Sequence, residues 1–289
     1  MKVAVVIPVY KSEMDKHERI SFTQVCKVLG KYPIIIACPE SLKLNAYYEI
    51  NSKILVKNFN PDYFKSVEGY NQLLLSSNFY SQFNKYKYIL LYQLDAFVFS
   101  DELEFWCEAG YDYIGAPWFE GFGEATEKSI IIGIGNGGFS LRNIKNSLKI
   151  LKQLKTIEIL NQYSKFSTKT TILKFIRIYY EWIKNKNQLA ECIKQFNEYE
   201  DLFWSVKIQE QIVNFKRNKN ILSKIYRKFF LHEFSLGPVN EAIEFSFENL
   251  PKKLFNLNNN KLPFGCHAWF KYDYQFWKPF IDEFGYNLP

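Results

Sequence analysis

Residues Tyr88–Ser100 read YILLYQLDAFVFS, and the way this stretch divides decides the expected fold. An apolar run, Ile89-Leu90-Leu91, ends in a polar clasp, Gln93-Leu94-Asp95, and a second apolar run from Ala96 to Phe99 follows at once. A run without polar alternation reads as a strand buried on both faces, as in a parallel sheet. A carboxylate at the C-terminal end of such a strand stands where open α/β sheets place their ligands. Burying Asp95 without a partner is costly, so a cation or a tight set of donors is expected beside it.

The flanking sequence fits the same sheet. Val3–Val9 is a β-branched run broken at Pro8, the form of a first strand. Lys16–Leu29 reads as a helix, Ile34–Cys38 as a second buried strand closed by Pro39, and Lys53–Lys57 as a short third strand. Ser66–Phe83 has helical spacing through Val67, Tyr70, Leu73, Leu74 and Phe79. Strand and helix in alternation predict an α/β domain with a mostly parallel sheet. After the clasp come a short helix, Asp101–Cys107, and a strand, Tyr111–Gly115. Ala116-Pro117-Trp118 then turns into a Gly-rich loop, Phe119–Gly123. The Gly135–Gly138 cluster lets the backbone approach a ligand closely before a strand resumes at Phe139–Arg142. No G-x-G-x-x-G follows the first strand and no G-x-x-x-x-G-K-[ST] occurs, which disfavours a dinucleotide fold and a P-loop NTPase.

From Ile144 the character changes. Over residues 144–232 there are 18 basic against 7 acidic residues, in helical spacing. Within it, Ile172–Lys186 reads as an amphipathic helix that docks on the core or lies on an anionic bilayer. The whole chain is basic, net +7, which suits a phosphate-bearing substrate or an anionic membrane surface. Aromatic residues make up 18% but are spread along apolar strands rather than interleaved with Lys and Arg, which argues against a nucleic-acid binder. Five cysteines without a C-x-x-C pair exclude a zinc knuckle and read as reduced thiols. No apolar run is long enough to span a bilayer, and MKVAVVIPVY reads as a first strand rather than a signal peptide. The expected location is cytoplasmic, with peripheral contact at the inner face of the membrane through the basic segment. The Asn-rich stretch near Asn256–Lys261 reads as a solvated loop, and the aromatic tail after it as packed back on the body.

Three polar sites far apart in sequence can converge: Gln93/Asp95, Glu200/Asp201 and His267. A carboxylate with an imidazole suits Mn²⁺ or a similar borderline ion better than Ca²⁺. Each also has a plainer reading, His267 as a core histidine beside Phe264 and Trp269, and Asp201 as a helix N-terminal acid.

Eight blocks carry a resemblance: VVIPVYK, YPIIIACPESL, FKSVEGYNQLLLS, YILLYQLDAFVFSDEL, GYDYIGAPWF, GNGGFSLR, EDLFWS and PFGCHAW. In this order they resemble the GT-A class of nucleotide-sugar-dependent glycosyltransferases. More narrowly, they resemble a family of bacterial and fungal glycosyltransferase-like proteins described as a domain of unknown function. The resemblance covers most of the chain except the lysine-rich stretch after Arg142. It implies a single GT-A-like domain over residues 1–289: a Rossmann-type, mostly parallel sheet flanked by helices, with 144–232 as a basic helical insertion. It implies transfer of a sugar from a nucleotide-diphosphate-sugar, a UDP-sugar being favoured, to a hydroxyl of a glycan, glycolipid or glycoprotein. A divalent metal, Mn²⁺ or Mg²⁺, would bridge Asp95 to the diphosphate and be completed by His267. Gln93 stands where the class has its first acid, and an amide supplies no charge. Asp201 would be the base of an inverting displacement and Glu200 would orient the acceptor. Pro8, Val9 and Tyr10 would line the base pocket, and Tyr70 and Asn71 would face ribose or phosphate. Trp118 would stack on a sugar, with simple core packing the alternative for both Tyr70 and Trp118, and Gly137 and Gly138 would let the loop approach donor or acceptor. The alternative is an inactive sugar-nucleotide-binding or scaffold protein of the same fold, which Gln93 favours. A retaining transferase also stays open.

Overall fold

A computed structural model of the protein describes residues 2–153, 199–217, 219, 221–229 and 231–288. The stretch around the clasp belongs to two sheets. Strand β1 (Val3–Pro8) is followed by helix α1 (Lys16–Val28), β2 (Ile34–Pro39), α2 (Asn45–Ile50) and β3 (Leu55–Phe59). Helices α3 (Val67–Leu74) and α4 (Ser77–Ser81) lead into β4 (Tyr88–Tyr92). Every residue of β4 is buried, as a strand covered on both faces requires. The chain then turns within the clasp, Ala96 N donating to Gln93 O at 2.9 Å, and β5 (Phe97–Val98) leaves for a different sheet.

After α5 (Leu103–Ala109) come β6 (Tyr113–Ile114), β7 (Pro117–Phe119), β8 (Ile131–Ile134) and β9 (Phe139–Asn143). The last two strands are β10 (Ser246–Phe247) and β11 (Gly265–Cys266). The main sheet has the order β3-β2-β1-β4-β9-β6, with the first four strands parallel and β9 antiparallel to both its neighbours. Strands β10-β11-β5 form a small second sheet, and β7-β8 a hairpin. The predicted α/β architecture with a mostly parallel sheet is therefore present.

Three details differ from the sequence reading. The third strand lies at Leu55–Phe59 rather than 53–57. The helix expected over 66–83 is split, because Ser76 Oγ donates to Leu73 O at 2.8 Å and accepts from Phe79 N at 3.1 Å, closing one helix and capping the next. Trp118 is on a paired strand, not in a turn. The basic segment is helical over residues 144–153, Ile208–Arg217 and Ile221–Phe229, while the amphipathic helix read at 172–186 lies outside the described residues. Among the described residues no helix is long and apolar enough to cross a membrane. The stretch read as a loop from Asn256 begins instead as the end of a helix, Pro251–Leu257, and only then turns, Asn259 and Asn260 adopting left-handed φ of 55° and 57°. The C-terminal tail does pack back: Trp269, Trp277 and Ile281 form a second buried cluster with Phe97.

Candidate functional site

The strand order reverses between β1 and β4: β2 and β3 lie on one side, β9 and β6 on the other. Ligands of open α/β sheets bind outside the carboxyl ends of the strands at such a point. Here that point is a cavity of about 580 Å³, lined by Pro8–Lys11 after β1 and by Gln93–Asp95 after β4. The N-terminal turn of α3 closes it, with Ser66, Val67 and Tyr70 on the wall. Tyr10 is 62% exposed at the rim, its ring 5.5 Å from Lys11 Nζ, whereas Val9 is buried.

A second cavity, of about 850 Å³, shares Val67, Tyr70 and Gln93 with the first. Asn71, Trp118, Gly137, Gly138, Asp201 and His267 line it. Of the sequence-predicted residues, Pro8, Val9, Tyr10 and Asp95 thus lie on the first cavity. Tyr70 and Gln93 form the shared wall, and the others lie on the second. Asn71 faces the second cavity, its Oδ1 accepting from Glu200 N at 3.2 Å.

The small sheet explains why His267 meets Asp95. Strands β10 and β11 run parallel, Phe247 opposite Cys266, so the next residues, Glu248 and His267, leave the sheet side by side. Strand β5 pairs on the other edge of β11, Phe97 opposite Cys266, which brings the clasp alongside. His267 Nδ1 lies 2.9 Å from Glu248 Oε1. Its Nε2 lies 3.1 Å from Gln93 Oε1 and 3.1 Å from Asp95 Oδ1. The amide of Gln93 is held from the other side, Nε2 donating to Tyr70 OH at 2.9 Å. Asp95 Oδ1 is buried and has no aligned hydrogen bond among the described residues. Burial pushes the Asp95 carboxyl up, but the His267 ring beside it wins, and its pKa is lowered. Burial likewise opposes charge on His267, yet Asp95 and Glu248 raise its pKa well above the usual value.

Glu200 and Asp201 are adjacent but differ. Both Glu200 oxygens are taken by Arg142, Nη1 at 2.8 Å and Nη2 at 2.7 Å, in a fully buried bidentate pair. The other donors of Arg142 reach Ser140 Oγ, Tyr80 OH and Gly137 O. Asp201 instead accepts, among the described residues, from backbone donors, Leu202 N at 2.9 Å and Gly137 N at 3.3 Å. Burial first, then the charges of Glu200 and Glu248, raise its pKa from 3.8 to about 6.

The two glycines are needed for protein contacts. A Cβ on Gly137 would stand 2.0 Å from Glu200 Oε1, and one on Gly138 would stand 2.0 Å from His267 Nε2. The close approach expected for a ligand is made by these two side chains, and Gly138 O also accepts from Gln93 N at 2.7 Å. Sequence reasoning missed Arg142 and Glu248. An arginine in the strand that resumes at Phe139 is a signal for the first, since a buried guanidinium demands a carboxylate. Nothing local marks Glu248, which is placed by strand pairing.

Among solved structures the chain is similar to the bifunctional glycosyltransferase WbbM in its apo form, at 12% identity and TM-score 0.41, over 92% of this chain and 45% of that one. An active-site mutant of LgtC matches at 12% identity and TM-score 0.41, over 91% and 86% of the two chains. The PaToxG glycosyltransferase matches at 12% identity and TM-score 0.28, over 78% and 83%. The chain thus spans less than half the length of WbbM. No curated protein matches it in sequence. A family profile does match, over residues 53–267, and the chain belongs to that family, described as protein of unknown function DUF5672.

Proposed function

We propose that the protein is a GT-A-type glycosyltransferase that moves a sugar from a nucleotide-diphosphate-sugar to an acceptor hydroxyl. The observation that carries this is one polar wall between two adjoining cavities. Asp95 and His267 face each other across it, and a carboxylate with a pKa of about 6 stands in the second cavity. The first cavity takes the nucleotide, with Tyr10 against the base and Tyr70 toward ribose or phosphate. The second takes the acceptor, with Trp118 as a sugar-facing wall.

The residues at the wall fit a divalent metal. Asp95 Oδ1 is buried with no aligned hydrogen bond among the described residues, and the Glu248 contact at Nδ1 turns Nε2 of His267 toward it, at 3.1 Å. Among the described residues no group of three or more His, Cys, Asp or Glu side chains could hold a metal, so donor phosphates and water would complete the shell. When bound, Mn²⁺ or Mg²⁺ offsets the charge that develops on the leaving diphosphate. Gln93 contributes an oxygen and no charge.

Asp201 takes the proton of the acceptor hydroxyl as that oxygen attacks the anomeric carbon, an inverting displacement. A base of pKa about 6 is mostly ionised at neutral pH and still accepts a proton readily. Glu200 acts as a positioning residue: with both oxygens on Arg142 it fixes the turn that presents Asp201. The second reading, a nucleotide-sugar-binding protein without turnover, is favoured by Gln93. Release of nucleoside diphosphate from a panel of nucleotide-sugars separates the two. Asp95→Asn should abolish most release, and wild-type turnover in that variant would reject the role of Asp95.

A further inference from the structure

Beyond the second cavity lies a third, of about 440 Å³, that shares Trp118, Phe122 and Leu202 with it. Leu202 follows Asp201 directly, so the groove begins where an acceptor hydroxyl would be activated. Its open side carries large exposed apolar side chains: Phe122 at 48%, Ile132 at 51%, Val206 at 41% and Val239 at 37%. Such a cluster on one face marks a binding surface rather than scattered exposure.

The polar side chains of the groove are already engaged. Ser205 Oγ donates to Asp201 O at 2.6 Å, Gln209 Nε2 donates to Phe234 O at 2.7 Å, and Glu210 pairs with Lys207 at 3.2 Å. A sugar or phosphate would find few free partners here, whereas a hydrocarbon needs none. Val206 lies in a π-helical turn, Phe203–Lys207, which directs it outward while Phe203, Trp204 and Ser205 are buried. Such turns recur at functional sites.

We propose that this groove is an acceptor subsite that takes an apolar aglycone, such as the hydrocarbon portion of a lipid-linked glycan, while the acceptor's hydroxyl reaches Asp201. This rests on the transferase reading. The continuity of the groove with the Asp201 cavity selects the acceptor as occupant over a second copy of the chain.

The test compares octyl and methyl β-D-glucopyranoside, the former below its micellar concentration, by titration of the full chain with ligand-observed NMR. The octyl compound should bind at least tenfold more tightly, with saturation transfer to its chain. Val206→Asp and Ile132→Asp, both at exposed positions, should remove that advantage while thermal stabilisation by nucleoside diphosphate persists. Equal affinities for the two glycosides, or an advantage unchanged in both variants, would overturn the proposal. So would a concentration-dependent dimer in light scattering that either variant dissolves, since the groove would then join two copies. Donor turnover with equal glycoside affinities would overturn the subsite alone. Octyl binding without release of nucleoside diphosphate from any donor would overturn the transferase reading and the acceptor assignment together.

Discussion

The cavity at the sheet end and the cavity beside it are built in different ways. The first is built on two strand ends, Pro8–Lys11 and Gln93–Asp95, which meet because β1 and β4 are hydrogen-bonded neighbours, and Phe64–Val67, Tyr70 and Phe270 close it. The second is assembled from segments scattered from Val67 to Tyr272, tied together by Arg142–Glu200 and Glu248–His267. Outside the clasp, the first should therefore keep its shape under single substitutions in its walls. The second depends on buried long-range pairs whose loss is felt across the site. Glu200 and Asp201 show the same contrast at one residue's distance, the first held by the Arg142 guanidinium, the second by backbone N–H groups.

The largest effect should come from Arg142. Arg142→Met leaves Glu200 buried without its cation, which should cost about 3–5 kcal/mol in denaturant unfolding. Glu200→Gln should follow it, and the double variant Arg142→Met/Glu200→Leu should recover part of the loss. A marginal change in the single variants would mean that the second cavity does not hang on this pair.

Asp201→Asn should lower the rate of transfer about 10²–10⁴-fold while nucleotide affinity, by calorimetry, stays the same. An equal loss of nucleotide affinity would move Asp201 to the donor side. The wild-type rate should rise with pH through about 6, because the base acts only when ionised. Stability has the opposite sign. The folded pKa lies above the ordinary 3.8, so the folded chain holds the proton more tightly, and this group's penalty grows as pH rises from about 4 to 6. Asp201→Asn should therefore be neutral or stabilise by up to about 1–2 kcal/mol at pH 7, after discounting for solvent screening. Destabilisation in that variant would erase the contrast with Glu200.

Glu248→Gln should weaken Mn²⁺ binding about 10–100-fold, read by electron paramagnetic resonance, because His267 loses the carboxylate that orients its ring. Glu248→Asp should recover part of it. Unchanged affinity would show that strand pairing alone holds His267 in place.

How much of this was legible in the sequence follows the same division. The strand ends and their acids could be read because each lies in one apolar run that stops at a polar residue, as at Leu91–Asp95. The split at Ser76 could not, because the apolar spacing continues across it and a hydroxyl decides the break. The different surroundings of Glu200 and Asp201 could not either, since Arg142, 58 residues earlier, pairs with the first and not the second. Glu248 became visible only through the register of β10 against β11.

The most direct test is a crystal structure with Mn²⁺ and a nucleoside diphosphate. The account predicts the base beside Tyr10, the diphosphate at the clasp, and the metal bound by Asp95 and His267. A nucleotide bound elsewhere, or a clasp whose Asp95 and His267 keep their mutual contact with no metal between them and the diphosphate, would contradict it.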